Sequence, residues 1–149
     1  MVKDIKNIRL TEYDYSKNGY YFITICTNYS KPYLVESIKS VVSQFIEQIP
    51  CTIPGTRIDY YELVATHLHL ILVLDNCKIK LGEIIRRFKA KTTLVVARFI
   101  GQDGFKLWQP NYYEHIIRNE PALDKIREYI QNNPIKKNIN WEEVYRAVC

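Results

Sequence analysis

The sequence predicts an α+β fold of the ferredoxin-like, split β-α-β-β-α-β type: a four-stranded antiparallel sheet with helices packed on one face, followed by a C-terminal helix. Three observations predict it. Four short runs rich in β-branched and aromatic residues read as strands. Two longer segments carry apolar residues at helical spacing, one between the first and second strand and one between the third and fourth. The chain has 149 residues, 47% of them hydrophobic, which suits one domain spanning 1–149 with a real core.

Residues 20–27 (Tyr-Tyr-Phe-Ile-Thr-Ile-Cys-Thr) form the first strand, opened by Gly19. From Val35 to Ile49 the apolar positions Ile38, Val41, Val42, Phe45, Ile46 and Ile49 share one helical face, and Pro50 is expected to stop the run. Pro54-Gly55 marks a turn. Arg57 to Ala65 is the second strand and His67 to Leu74 the third. The third is so apolar after His69 that it belongs in the middle of a sheet, buried on both faces. A helix over Lys80 to Ile100 has the stripe Leu81, Ile84, Ile85, Phe88, Val95 and Phe99, and Gly101 and Gly104 end it. Tyr112 to Arg118 is the fourth strand. Asn119 then caps a helix with Pro121 in its first turn, running to about Asn133, where Pro134 disfavours continuation. The tail suits a short helix from Trp141 to Val148.

Composition narrows the function classes. There are 21 Lys+Arg against 16 Asp+Glu, a net charge of +5, with 12 Tyr and only 3 His. A basic, tyrosine-rich surface suits an anionic partner with stackable rings, such as nucleic acid. The cysteines, Cys26, Cys51, Cys77 and Cys149, form no C-x-x-C pair and read as reduced thiols. The opening residues are too charged for a signal-peptide core, and the longest uncharged apolar stretch, Leu63 to Leu74, is shorter than the ~20 residues of a membrane helix. These features predict a soluble cytoplasmic protein with no membrane partner.

Two of the three histidines form His67-x-His69. On a strand, residues i and i+2 face the same way, so both imidazoles reach one point in space. Neutral imidazole is a common metal ligand, although histidines at a strand start also serve simply to hydrogen-bond a neighbour. Tyr129 and Asn133, four residues apart, share one helical face. A tyrosine is a poor nucleophile at its ordinary pKa of ~10 and gains from a metal that stabilises charge on the electrophile. Asn133 supplies a neutral oxygen for a site begun by the histidines. The other reading of Tyr129 is a half-buried aromatic anchor.

Over roughly Arg9 to Trp141 the chain resembles the single-tyrosine HUH transposases, and within them the REP-associated tyrosine transposases of bacteria. The resemblance rests on Arg9-Leu10, Tyr13-Asp14-Tyr15 and Gly19–Thr24 at the front, and on His67-Leu68-His69, the motif that names the superfamily. It continues through Phe88-Lys89 with Thr92-Thr93, Trp108-Gln109, the block Tyr112–Glu120, Tyr129-Ile130 and Asn133-Pro134. It implies cleavage and rejoining of single-stranded DNA, often beside a hairpin. Tyr129 would attack a backbone phosphate to give a 5′-phosphotyrosine. His67, His69 and Asn133 would hold a Mg²⁺ or Mn²⁺ ion. A mixed His/Asn set suits a divalent ion shared with substrate oxygens better than a closed zinc site. Members act as monomers or homodimers.

Two positions depart from the family pattern. Val64-Ala65-Thr66 stands where Met-Pro-Asn is usual, and Pro110 replaces a basic residue. The anionic substrate makes Arg9, Arg86, Lys89, Lys91 and Arg118 candidate DNA contacts. Residues 9–15 suit base stacking, His115 suits a structural or DNA-facing role, and Trp108 and Tyr112 suit packing. Two rival readings are a non-catalytic nucleic-acid-binding module on the same scaffold and a metal-dependent hydrolase with Glu62 as the nearest carboxylate base.

Overall fold

The computed structural model describes residues 18–132. The elements are β1 (Gly19–Cys26), a 3₁₀ turn (Asn28–Ser30), α1 (Glu36–Thr52), β2 (Thr56–Val64), β3 (His67–Leu74), α2 (Leu81–Ile100), β4 (Tyr113–Ile117) and α3 (Glu120–Asn132). The four strands form one sheet in the order β2-β3-β1-β4, and each neighbouring pair is antiparallel. This is the expected ferredoxin-like arrangement. The tail segment from Trp141 lies outside the described residues.

Strand β3 explains the layering. Leu68, Leu70, Leu72 and Leu74 point to one face and join Val42, Ile46, Ile84, Ile85 and Phe88 from α1 and α2 in the larger core. Ile71 and Val73 point to the other face and join Tyr20, Phe22 and Ile117, with Ala122, Leu123, Ile126 and Ile130 from α3. The two helices of the split repeat therefore cover one face and α3 covers the other. A strand flanked by both layers must be apolar on both sides, which is why its period-two alternation is hidden in the sequence.

Local differences from the sequence reading have physical causes. Helix α1 does not stop at Pro50 but runs through it to Thr52. A proline in the last turn removes a single helical hydrogen bond, and the end is closed by the Ile53 N–H donating to Ile49 O at 2.9 Å and the Thr56 hydroxyl donating to Ile53 O at 2.7 Å. On α2 the buried stripe continues through Thr92 and Val96 rather than Val95 and Phe99, and Phe99 is exposed. Thr92 is tolerated inside because its hydroxyl donates to Phe88 O at 2.8 Å and accepts from Trp108 Nε1 at 2.8 Å. Trp108 is thus a core residue. Gly55 is required by contact: at φ +88°, an added Cβ would lie 2.8 Å from Asp75 O and from Cys77 Cα. Asn119 caps α3 as expected, its Oδ1 accepting from Ala122 N at 2.9 Å.

Helix α3 has a second anchor besides its apolar stripe. Strand β2 carries a bulge between Ile58 and Tyr60, which re-aims Asp59. The Asp59 side chain is 2% exposed and receives the Arg127 guanidinium on both oxygens, at 2.8 Å from Nε and 2.5 Å from Nη2. Removing Arg127 strands a buried carboxylate. Arg127→Ala is expected to lower the unfolding free energy by about 3 kcal/mol, and the double variant Asp59→Ala/Arg127→Ala by less, in urea titrations monitored by circular dichroism.

Candidate active site

The β2–β3 hairpin presents His67 and His69 on the face covered by α3. Alternation along β3 sets this: Leu68 and Leu70 enter the α1/α2 core, so the histidines, with Ile71 and Val73, point the other way. The two rings lie edge to face with centroids 4.4 Å apart. Each Nδ1 meets a threonine hydroxyl. Thr24 Oγ1, on β1, is 3.0 Å from His69 Nδ1, and Thr66 Oγ1 is 2.9 Å from His67 Nδ1. With the proton on Nδ1 each ring donates to its hydroxyl and carries its lone pair on Nε2, the tautomer a metal takes.

Sequence reasoning missed both threonines as site residues. Thr24 is brought to His69 only by the β1–β3 register, in which the two are paired. Thr66 belongs to the Val64-Ala65-Thr66 departure from the family pattern, and its backbone also holds the hairpin, Thr66 O accepting from Thr27 N at 2.9 Å and Thr27 Oγ1 at 3.0 Å. The departure therefore leaves the histidines' approach firmly tied.

Electrostatics favour a ligand-ready imidazole at His69. His69 is fully buried, and burial, with the neighbouring His67 second, holds it well below the usual histidine range. It is neutral at pH 7. Among the described residues no three His, Cys, Asp or Glu side chains converge as a metal cage. The histidine pair fits a divalent cation shared with other oxygen ligands.

The remaining predicted residues fall into three groups. Tyr129 lies half-buried on α3, beside Ile126 and Ile130 of the layer packed on the histidine face. Asn133 and Arg9 lie outside the described residues. Of the candidate DNA contacts, Arg86 and Lys91 sit exposed on α2, across the sheet from the histidines, and Arg86 forks onto Glu83 with both bonds at 2.7 Å. Lys89 turns inward: its ammonium donates to the carbonyls of Gln109 at 2.7 Å, Pro110 at 3.3 Å and Asn111 at 3.0 Å. Exposed Arg118 follows β4, and its charge adds to burial in lowering the pKa of His115. His115 pairs with Phe22 and so belongs to the histidine face.

A titration follows from His69. Its folded pKa is depressed, so below the ordinary value of ~6.5 the unfolded chain binds a proton that the native chain refuses. Stability is therefore full above about pH 6.5 and falls as the pH drops, by up to about 1.4 kcal/mol per pH unit for one such group. Urea titrations of metal-free protein between pH 7.5 and 5.5 are expected to show this decline, with a shallower slope in His69→Gln.

Comparisons with known proteins identify the family and the fold. A 35% identical protein of Haemophilus influenzae, itself uncharacterised, matches 93% of this chain and 90% of its own length. A second protein of that organism, carrying the name of a REP-associated tyrosine transposase, is 27% identical over 83% of this chain and 74% of its own. The solved structure of a REP-associated tyrosine transposase bound to a REP hairpin superposes with a TM-score of 0.67 at 22% identity, over 93% of this chain and 75% of that one. A Deinococcus radiodurans structure assigned as a transposase gives 0.59 at 20% identity, over 89% and 97%. These two solved structures share the fold. The family model for IS200-like transposases matches residues 15–133, and with the histidine pair and the tyrosine helix on one face of the sheet, the chain belongs to the IS200-like transposase family.

Proposed function

We propose that this transposase cleaves and rejoins single-stranded DNA at hairpin ends, with Tyr129 as nucleophile and His67, His69 and Asn133 as ligands of a Mg²⁺ or Mn²⁺ ion. The observation that carries the reading is the pair of adjacent imidazoles, each with Nδ1 against a threonine hydroxyl, on the sheet face that also carries the helix of Tyr129. The hairpin substrate is taken from the fold relative whose structure holds a REP hairpin.

In the proposed step the Tyr129 oxygen attacks a backbone phosphorus as the bond to the 3′ oxygen breaks. The tyrosine loses its proton, the departing 3′ oxygen gains one, and the 5′ phosphate stays on the protein as a phosphotyrosine. Attack by another 3′-OH reverses the step and rejoins strands without ATP, because the phosphodiester energy is kept in the covalent link. A bound divalent ion supplies charge stabilisation at the phosphate oxygens. The chain's own contribution is orientation: Thr24 and Thr66 fix the imidazoles, and the Asp59–Arg127 pair holds the tyrosine helix two residues from the nucleophile.

Incubated with a single-stranded hairpin oligonucleotide and Mn²⁺, the protein is expected to form an adduct that survives denaturing gels. Tyr129→Phe removes the adduct and retains hairpin binding; a persisting adduct places the nucleophile elsewhere. A chelator stops cleavage and leaves binding in place. Cleaved DNA without a protein-linked product supports the hydrolase reading, with Glu62, which pairs with His69 across β2 and β3, as its base. Binding without cleavage supports the non-catalytic module.

A further inference from the structure

Next to the histidine pair the same sheet face opens into a cavity of about 330 Å³, lined by Thr24, Cys26, Gln109, Asn111, Tyr112 and Tyr113. Its position is fixed by register. Thr24 touches His69 Nδ1 at 3.0 Å, Cys26 is paired with His67, and Tyr113 is paired with Thr24 on the far side. The cavity therefore starts one strand away from the histidines and runs toward the β4 edge.

Its wall is held from behind. The Gln109 N–H donates to Cys26 O at 2.9 Å. The half-buried Lys89 ammonium binds the three successive carbonyls of Gln109, Pro110 and Asn111 and lies 5.7 Å from the Tyr112 ring centroid. One lysine thus spends its donors on ordering the 109–111 loop, a preorganised wall.

The lining chemistry selects the ligand. Two amides, a threonine hydroxyl, a thiol and two tyrosines line the space, and the Lys89 ammonium behind the wall is directed at the loop carbonyls. Amides read the donor and acceptor edges of bases, and tyrosine rings stack on their faces. Tyr113, 61% exposed, offers such a ring at the mouth.

We propose that this cavity receives one unpaired nucleobase of the DNA strand beside the cleaved phosphate, and that Asn111 and Gln109, with Tyr113 as the stacking surface, set the base preference at that position. The inference rests on the proposed DNA-cleaving function and adds a specificity pocket to it.

The test reads equilibrium binding in a Tyr129→Phe background, so that cleavage does not enter. Hairpin oligonucleotides with a single-stranded flank carry, one position at a time, each of the four bases or an abasic site. One flank position is expected to show a base preference and to weaken about tenfold when abasic. Adding Asn111→Ala should flatten the preference at that position and leave the others unchanged. Tyr113→Ala should lose most of the penalty for the abasic site. Asn111→Asp, nearly the same shape, should move the preference to another base, which keeps the test decisive if the alanine variant folds poorly. The proposal is overturned if no position shows a preference that Asn111→Ala erases, or if the variants weaken every oligonucleotide equally. Failure of the cleavage reading registers separately, as the unsubstituted protein forming no covalent adduct.

Discussion

The β1–β3 pairing at the centre of the sheet is the constraint on which everything else depends. It runs from Gly19 against Leu74 to Cys26 against His67, and both strands are buried between two apolar layers. A slip of one residue would turn the leucines of β3 outward and drive both histidines into the α1/α2 core. The cost of exposing or burying that many side chains wrongly makes the register effectively unique. The geometry around the histidines is thereby inherited from packing: Thr24 meets His69, and Cys26 stands beside His67, because the leucines cannot go anywhere else.

The two faces of the sheet divide the labour. The α1/α2 face is the larger core and carries stability, with even its threonine satisfied by Phe88 O and Trp108 Nε1. The opposite face is apolar only at one end, under α3, and polar at the other, where His67, His69, Thr24 and Glu62 lie. An apolar patch that docks a helix beside a polar patch that presents imidazoles brings Tyr129, carried on that helix, and the histidine pair onto one surface. The Asp59–Arg127 pair supplements this docking. Its buried carboxylate makes any displaced position of α3 expensive, whereas an apolar stripe alone would tolerate rotation.

Basic residues on the same chain have unlike roles. Arg86 and Arg87 are drawn to Glu83 on the outer surface of α2, each at 2.7 Å, which holds the Glu83 carboxyl down to about 2. Lys89, three residues on from Arg86, turns inward and orders the 109–111 loop. Arg118, between β4 and α3, combines exposure with a place by the histidine face. A net charge of +5 is compatible with an anionic partner, yet it does not say which cations would meet it.

Much of the fold was legible in the sequence because local chemistry dictates it. The bounds of β3, the αL end of α2 at Gly101 and the Asn119 cap all follow from residues within a few positions of one another. So did the candidate pair His67 and His69, since alternation along one strand is enough to align them. Pro50 was misleading, as a proline's penalty depends on where the helix ends for other reasons, and the α2 stripe drifted because Thr92 becomes a core residue only once Trp108 reaches it. What tertiary structure alone decided was the company each residue keeps: Thr24 with His69, Asp59 with Arg127, Lys89 with the 109–111 carbonyls, and the cavity they border. These partners are separated by 20 to 68 positions in the chain, and no local periodicity encodes a contact between residues that only the packed sheet brings together.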